Sequence, residues 1–139
     1  MNISNKFYKE DIDKLKNTVL SGVTENISWR IKQISIISKL LDDNKKEIMR
    51  ALYIDLGKSE IEAFSEIFLI KEEISLINKK LKSWMQQKKI NTPFYLFPSS
   101  SKVIHEPLGC VLIIGPYNYP ILYIFKPLVN IFSAGNTAV

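Results

Sequence analysis

Apolar residues recur at intervals of three and four positions through the first half of the chain, which is the period of an amphipathic helix. This pattern predicts a helix over residues 11–20 and a second over residues 27–41, with Thr24 as the N-cap of the second. A third helix is predicted to include Ile48, Ala51 and Leu52 and to end at Gly57, because glycine favours the left-handed conformation that closes a helix. We interpret the three apolar stripes as core-packing faces.

A longer helix is predicted to follow, because Ser59 and Glu62 have the spacing of a capping box. In a capping box the serine side chain accepts from a backbone amide three residues on, while the glutamate reaches back. The helical period then continues until Thr92, which is followed by Pro93 and is therefore biased away from helical conformation. Residues 1–90 are thus predicted to form a helical part.

The chain changes character after this helical part. Residues 91–105 place prolines and serines among aromatic and β-branched residues, which favours an edge strand or a hairpin arm. Residues 110–114 form an unbroken apolar run, typical of a strand covered on both faces of a parallel sheet. With a helix over residues 121–132 and a second strand opening at residues 136–139, the last part is predicted to be an α/β arrangement, a βαβ unit cut short.

The turn after the first strand of this unit is the predicted ligand site, because ligands of open parallel sheets bind beyond the carboxyl ends of the strands. The glycine-rich dinucleotide fingerprint is absent, since Gly109 and Gly115 bracket the strand instead of forming a phosphate loop. The turn presents Asn118. On spacing alone, this asparagine is either a functional hydrogen-bond donor or a turn or helix-capping residue.

The charge pattern argues against a nucleic-acid partner. The formal net charge is +5 at pH 7, but the lysines are spread along helices that also carry aspartate and glutamate, as on a solvent-exposed helix surface. Residues 107–125 carry no formal charge over the length of a membrane span. The prolines and glycines within this run would leave backbone groups unpaired in lipid, so no transmembrane segment is predicted.

The single cysteine, Cys110, excludes an intrachain disulfide and makes the cytoplasm the expected location. It lies in an apolar run without a neighbouring histidine to activate it, so we predict a small buried strand residue instead of a nucleophile. His105 is predicted to be a surface residue and not a general base. No metal site is predicted.

Several motifs, in the order in which they occur, resemble the N-terminal region of an aldehyde dehydrogenase of the shorter, class-3-like branch. The resemblance covers nearly the whole chain from Ile27 onward. The matching residues are Glu106-Pro107-Leu108-Gly109, the run Ile113-Ile114-Gly115-Pro116-Tyr117-Asn118-Tyr119-Pro120, and Ala134-Gly135-Asn136, with further matches at Arg30, Gln33, Asp55-Leu56-Gly57-Lys58 and Glu62.

The resemblance implies a fold in which N-terminal helices are followed by the start of a Rossmann-like parallel-sheet cofactor domain, truncated after its first βαβ portion at residues 106–139. It implies that residues 91–105 are an extended oligomerisation strand and that the complete enzyme is a homodimer. The implied reaction is oxidation of an aldehyde to a carboxylic acid through a cysteine thiohemiacetal, with NAD or NADP as cofactor.

The resemblance also assigns site residues. Asn118 matches the asparagine whose amide donates to the oxygen of the tetrahedral intermediate. The backbone around Ile114, Gly115 and Tyr117 would line the cofactor site, although the family usually has tryptophan or phenylalanine where Tyr117 stands. The residue types alone equally allow a strand end and a packed aromatic at these positions.

The family's ribose-binding lysine, catalytic cysteine and general-base glutamate have no counterpart in this sequence. The chain is therefore expected to be an N-terminal portion of an aldehyde dehydrogenase, from a truncated or interrupted gene, and to be inactive alone. The alternative is a non-enzymatic interaction module or remnant, which would dock onto a partner subunit through the exposed strand edge at residues 136–139. A nucleic-acid binder is the third and least favoured hypothesis.

Overall fold

The computed structural model of the protein describes residues 4–139, with side chains from residue 8 onward, so residues 1–3 of the predicted helical part lie outside the described region. The described residues form five α-helices and four short strands. The helices are α1 (Ser4–Leu20), α2 (Ile27–Asp43), α3 (Lys45–Leu56), α4 (Glu60–Trp84) and α5 (Leu122–Ser133). The strands are β1 (Lys88–Ile90), β2 (Ser101–Val103), β3 (Cys110–Val111) and β4 (Thr137–Ala138).

The predicted capping box at the start of α4 is confirmed. The Ser59 hydroxyl accepts from the Glu62 backbone amide at 3.3 Å, and the Glu62 carboxylate accepts from the Ser59 amide at 2.9 Å. The predicted end of this helix is wrong, since α4 stops at Trp84 and not at Thr92. Lys88–Ile90 forms β1 instead, because its backbone pairs antiparallel with β2, and this pairing overrides the local helical period.

Two predicted helix starts also need correction. The N-cap of α2 is Asn26, whose side chain accepts from the Ser28 amide at 2.8 Å, and not Thr24. Thr24 lies within a short 3₁₀ turn, Val23–Glu25, and is fully buried. Its hydroxyl has no hydrogen-bond partner among the described residues, so it cannot serve as a cap. Helix α1 begins at Ser4, seven residues before the predicted start.

The core lies where α2, α4 and α5 pack together. Of the three stripes predicted to face the core, only that of α2 supplies buried members, while α3 adds the partly buried Ile48 and Met49. The apolar side chains of the core are removed from water in one continuous cluster, which is the main favourable term for joining α2, α4 and α5. The buried members of this cluster are Ile34, Ile37, Leu41, Ile67, Ile70, Ile74, Ile77, Leu81, Leu122 and Val129.

The parallel βαβ unit is confirmed, but its first strand is shorter and less covered than predicted. Strand β3 pairs with β4 in parallel register, and the Ile113 amide continues the ladder by donating to the Val139 carbonyl at 2.8 Å. Leu112 and Ile114 remain 66% and 84% exposed, so residues 110–114 are not covered on both faces. In the described part of the chain, β4 is the only strand that pairs with β3.

Strand β4 and the residue before it are held by two side-chain hydrogen bonds, one to the segment before β3 and one to α1. The Asn136 side chain accepts from the Gly109 amide at 2.8 Å, and the Thr137 hydroxyl donates to the Leu15 carbonyl of α1 at 3.1 Å. Asn136 and Thr137 are 5% and 3% exposed. Of the edge at residues 136–139, which the interaction-module hypothesis requires to be exposed, Asn136 and Thr137 are therefore buried, while Val139 is exposed.

Arg30 joins the start of α2 to the end of α5. Its Nε donates to the Thr24 carbonyl at 2.8 Å and its Nη1 to the Ser133 carbonyl at 2.9 Å. Burial lowers the pKa of the Arg30 guanidinium from its ordinary value, and the nearby Glu25 carboxylate opposes this shift. Gly135 lies against this guanidinium with a φ of +82°, and a Cβ added there would lie 2.5 Å from Nη2.

We predict that Gly135→Ala lowers the free energy of unfolding by about 3 kcal/mol, because it combines a left-handed backbone with a clash against a buried side chain. Gly22→Ala is the matched control, since Gly22 has a φ of +76° and nothing within 4 Å of an added Cβ. The control should lose about 1 kcal/mol. Urea unfolding of both variants makes the comparison, and equal losses would contradict the role of the Arg30 contact.

Because of the capping box, the free energy of unfolding depends on pH in the acidic range. Hydrogen bonds from the Ser59 hydroxyl and the Ser59 backbone amide lower the pKa of Glu62. This folded-state pKa lies below the unfolded value of about 4.3, so the contribution to stability is full above that value and is lost as pH falls through the folded-state pKa.

We predict that Ser59→Ala raises the pKa of Glu62 in an NMR titration. Ser35→Ala, which removes a hydroxyl bonded to the Lys32 carbonyl of α2, should leave it unchanged.

Candidate functional site

The candidate site is the segment that links β3 to α5. Asn118 lies in the bend just before α5 and is exposed to solvent. Within residues 8–139, whose side chains the structure describes, its amide makes no hydrogen bond. The N-cap position of α5 is occupied by Ile121, which offers no side-chain acceptor. The first amides of α5 must therefore find their acceptor elsewhere.

That acceptor is Glu66, which projects from the second turn of α4. Its Oε2 accepts from the backbone amides of Ile121 at 3.1 Å and Leu122 at 3.0 Å. Glu66 is fully buried, and its Oε1 accepts from the Lys58 ammonium group. A carboxylate at this position satisfies amides that have no partner within the helix and lies at the positive end of the helix dipole. The start of α5 is thus attached to α4 by a buried, charge-assisted contact.

Lys58 extends this contact to the residue after Asn118. Its Nζ lies 3.7 Å from the centre of the Tyr119 ring, and Tyr119 packs edge-to-face on Tyr123 with ring centres 5.9 Å apart. A cation over an aromatic face is attracted by the ring quadrupole. The chain is therefore fixed on both sides of Asn118, by the contacts of Tyr119 after it and by the pairing of β3 before it. The side-chain amide of Asn118 stays free to donate.

The structure bears on the two interpretations of Asn118 that the sequence left open. A helix-capping asparagine would accept from the first amides of α5, but Glu66 accepts from two of them. Capping therefore does not account for Asn118, but the turn interpretation stays, because Asn118 lies in the bend before α5. A side-chain amide with no partner among the described residues, in the turn that follows a parallel strand, can donate to an anionic oxygen.

The three predicted cofactor residues lie in the same segment. Ile114 and Tyr117 are each 84% exposed, so Tyr117 is not a packed aromatic within the described part of the chain. A glycine at position 115 also has an explanation in packing, because an added Cβ would overlap the Cδ1 atom of Ile124 in α5. The absence of a side chain at Gly115 thus allows the turn to lie close against α5.

Sequence reasoning missed Glu66, although a signal was present. Glu66 falls on the apolar face of α4, beside Ala63, Ile67 and Ile70, where a carboxylate without a partner would be costly. A charged residue on a core face is therefore a sign of a buried ion pair or helix cap. Lys58 belongs to one of the motifs of the family resemblance, but spacing along the chain does not predict its contact with Glu66.

Two further residues were considered in the sequence. His105 is exposed to solvent, as predicted for a surface residue. Cys110 lies in a strand, as predicted, but it is only partly buried. Among the described residues, no cluster of histidine, cysteine and carboxylate side chains could hold a metal ion. No helix within residues 4–139 has the length and apolar composition needed to span a bilayer.

Comparison with known proteins places the chain in a protein family. The family model described as "Aldehyde dehydrogenase family" matches residues 24–139. The chain is 42% identical over 138 residues to the 4,4'-diaponeurosporen-aldehyde dehydrogenase of Staphylococcus aureus, covering 99% of this chain and 29% of that protein. It is 40% identical over 129 residues to the chloroplastic aldehyde dehydrogenase family 3 member I1 of Arabidopsis thaliana, covering 92% and 24%.

Solved structures of aldehyde dehydrogenases also match this chain. The substrate-bound AldH of Staphylococcus aureus matches with a TM-score of 0.87 and 41% identity, over 99% of this chain and 30% of that one. The succinic semialdehyde dehydrogenase of Streptococcus pyogenes, solved with NADP⁺, matches in fold with a TM-score of 0.82 at 16% identity, over 99% and 30%.

The chain therefore belongs to the aldehyde dehydrogenase family. Its similarity is to the class 3 branch, and its fold is the α/β arrangement predicted for the N-terminal region of these enzymes. It spans about three tenths of the length of the relatives that it matches.

We predict that Glu66→Gln lowers the free energy of unfolding by about 3 kcal/mol, because it leaves the Lys58 ammonium group without its buried partner. Asp43→Asn removes a carboxylate from the solvent-exposed pair with Lys39 and should cost much less, because water screens an exposed pair. Urea unfolding measures both losses. Amide exchange at Leu122 should accelerate in Glu66→Gln only. Equal small losses in the two variants would mean that the buried pair does not hold α5 to α4.

Proposed function

We propose that this chain forms the N-terminal part of an NAD(P)-dependent aldehyde dehydrogenase and that Asn118 supplies one donor of its oxyanion hole. The observation that carries the proposal is the side-chain amide of Asn118, which has no hydrogen-bond partner among the described residues and lies in the bend between β3 and a helix start that Glu66 already caps. Membership of the aldehyde dehydrogenase family supports it.

In the proposed reaction a cysteine thiolate adds to the aldehyde carbon, and the carbonyl electron pair moves onto the oxygen. The Asn118 amide would donate a hydrogen bond to that oxygen. Because the amide is uncharged and its backbone is held by Tyr119, orienting it costs little when the charge develops. The resulting thiohemiacetal would lose a hydride and become a thioester, and hydrolysis would release the carboxylic acid.

The residues of the β3–α5 segment fit a nicotinamide cofactor. Ile114 and Tyr117 are exposed at the carboxyl end of a parallel strand, where such ligands bind. Residues 112–120 carry no charged side chain, so no carboxylate repels a pyrophosphate. The backbone around Ile114, Gly115 and Tyr117 would line the site. When bound, the cofactor accepts the hydride, and the Streptococcus pyogenes relative solved with NADP⁺ supports this assignment by fold.

The thiolate and the base of this reaction would come from residues outside these 139. The single cysteine, Cys110, lies within β3, and no pairing with His105 is proposed. We therefore propose that the 139-residue chain is inactive alone. A homodimeric complete enzyme, a cytoplasmic location, and the division at residues 1–90, 91–105 and 106–139 stay predictions.

One observation favours the alternative of a non-enzymatic interaction module. Leu112 and Ile114 are largely exposed next to the paired residues of β3, and apolar strand residues of this kind invite pairing with another chain. A purified chain that associates through these residues, and that shows no NAD(P) binding, would support the module over the enzyme.

A chimera tests the role of Asn118. We predict that this chain, replacing the matching segment of the 42% identical Staphylococcus aureus relative, restores aldehyde-dependent NAD(P)H formation, and that Asn118→Ala lowers kcat by about 10²–10³. The loss should fall on kcat more than on KM, because the donor acts on charge that develops in the transition state.

Asn130→Ala is the matched control for this substitution. Asn130 is an exposed asparagine of α5, and its side chain donates to the Lys126 carbonyl within the same helix. This variant should keep kcat within about twofold of the unsubstituted chimera, as expected of a surface change away from the site. The chain without its fusion partner serves as the blank. NAD(P)H formation by that blank, or full activity of Asn118→Ala, would overturn the proposal.

A further inference from the structure

A groove between α3 and the start of α4 has no place in the proposed reaction. It has a volume of about 680 Å³, within the usual range of about 300–1,000 Å³ for small-molecule sites. We call it the basic groove and define it by six of its lining residues: Lys46, Met49, Arg50, Tyr53, Ile61 and Phe64.

The cations of the basic groove lack the partners that usually surround surface lysines. Lys46 and Arg50 are one helical turn apart on α3, a like-charge spacing that destabilises a helix. The acidic residues just before Lys46 are engaged elsewhere, since Asp42 pairs with Lys71 and Asp43 with Lys39. In the part of the chain with described side chains, neither Lys46 nor Arg50 is within ion-pair distance of a carboxylate.

Further positive charge borders the same groove. The Lys45 ammonium group lies over the Phe64 ring, 4.4 Å from its centre, and Lys58 lines the groove while bound to Glu66. Lys45 and Lys46 occupy the first turn of α3, where the helix dipole disfavours cations. Glu60 is the one carboxylate among the lining residues, so positive charge exceeds negative charge in the groove.

Apolar side chains lie between these cations. Ile61 is 81% exposed and Tyr53 is 66% exposed, while Met49 and Phe64 are more covered and contribute apolar surface to the same recess. An inorganic anion would leave this apolar surface in water, and an uncharged hydrocarbon would leave the cations unpaired. A ligand with both an acidic group and an aliphatic chain satisfies both features.

We propose that the basic groove binds a single anionic amphiphile, a free carboxylate with a medium or long aliphatic chain. The carboxylate would pair with Lys46 and Arg50, and the chain would cover Ile61 and Tyr53. A free molecule suits the site better than a lipid surface, because the cations and apolar groups line a recess between two helices. The proposal does not depend on the oxyanion role of Asn118.

Decanoate below its micelle concentration is the probe, titrated into the full chain and followed by amide shifts in NMR spectra. Saturable shifts should be confined to α3 and the first turns of α4. The double variant Lys46→Glu with Arg50→Glu should weaken binding about tenfold, as expected for the loss of two exposed ion pairs. Ile61→Ser, at an exposed position that folding does not require, should weaken it by about threefold.

The matched control is Lys79→Glu with Lys80→Glu, which makes the same charge change at exposed positions of α4 away from the groove. It should change the affinity less than twofold. Decyltrimethylammonium, with the same chain and opposite charge, should not bind. Equal weakening in both double variants would mean attraction by net charge alone and would overturn the proposal. Binding to phosphatidylglycerol vesicles without binding to decanoate would also overturn it, in favour of a membrane surface.

Discussion

A buried carboxylate is costly unless it is fully paired, and Glu66 meets this condition with three donors from separate parts of the chain. Lys58 comes from the loop before α4, and the two amides of Ile121 and Leu122 come from the start of α5. The contact therefore sets where α5 begins relative to α4. Since the bend with Asn118 lies directly before that point, the geometry of the candidate site depends on a residue near the start of another helix.

The main elements could be predicted from the sequence because the signals are local. The capping box at Ser59 and the apolar period of α4 involve residues within a turn of each other, and both are present in the fold. The errors arose where distant residues decide. Strand β1 exists because β2 pairs with it, and the N-cap of α2 is Asn26 because Thr24 is buried elsewhere.

The candidate site likewise combines a feature that local sequence indicates with features that distant residues decide. The position of Asn118 beyond a parallel strand indicates a ligand site, but spacing alone does not separate a donor from a helix cap. The structure removes only the helix-capping interpretation, through Glu66, whose partner amides lie 55 and 56 residues away along the chain. The same holds for the close approach of Gly135 to Arg30, which no local pattern indicates. Roles of this kind depend on tertiary contacts, and a single sequence does not display them.

The hydrogen bond from Thr137 to the Leu15 carbonyl spans 122 residues, and it has a consequence for the order of folding. During synthesis α1 leaves the ribosome first, yet its partner strand β4 is made among the last residues of this segment. Contacts of such high separation form late, because the entropy of closing the loop must be met before they contribute. Until β4 emerges, α1 lacks this partner, so its attachment to the rest of the segment is completed only after Thr137 has been made.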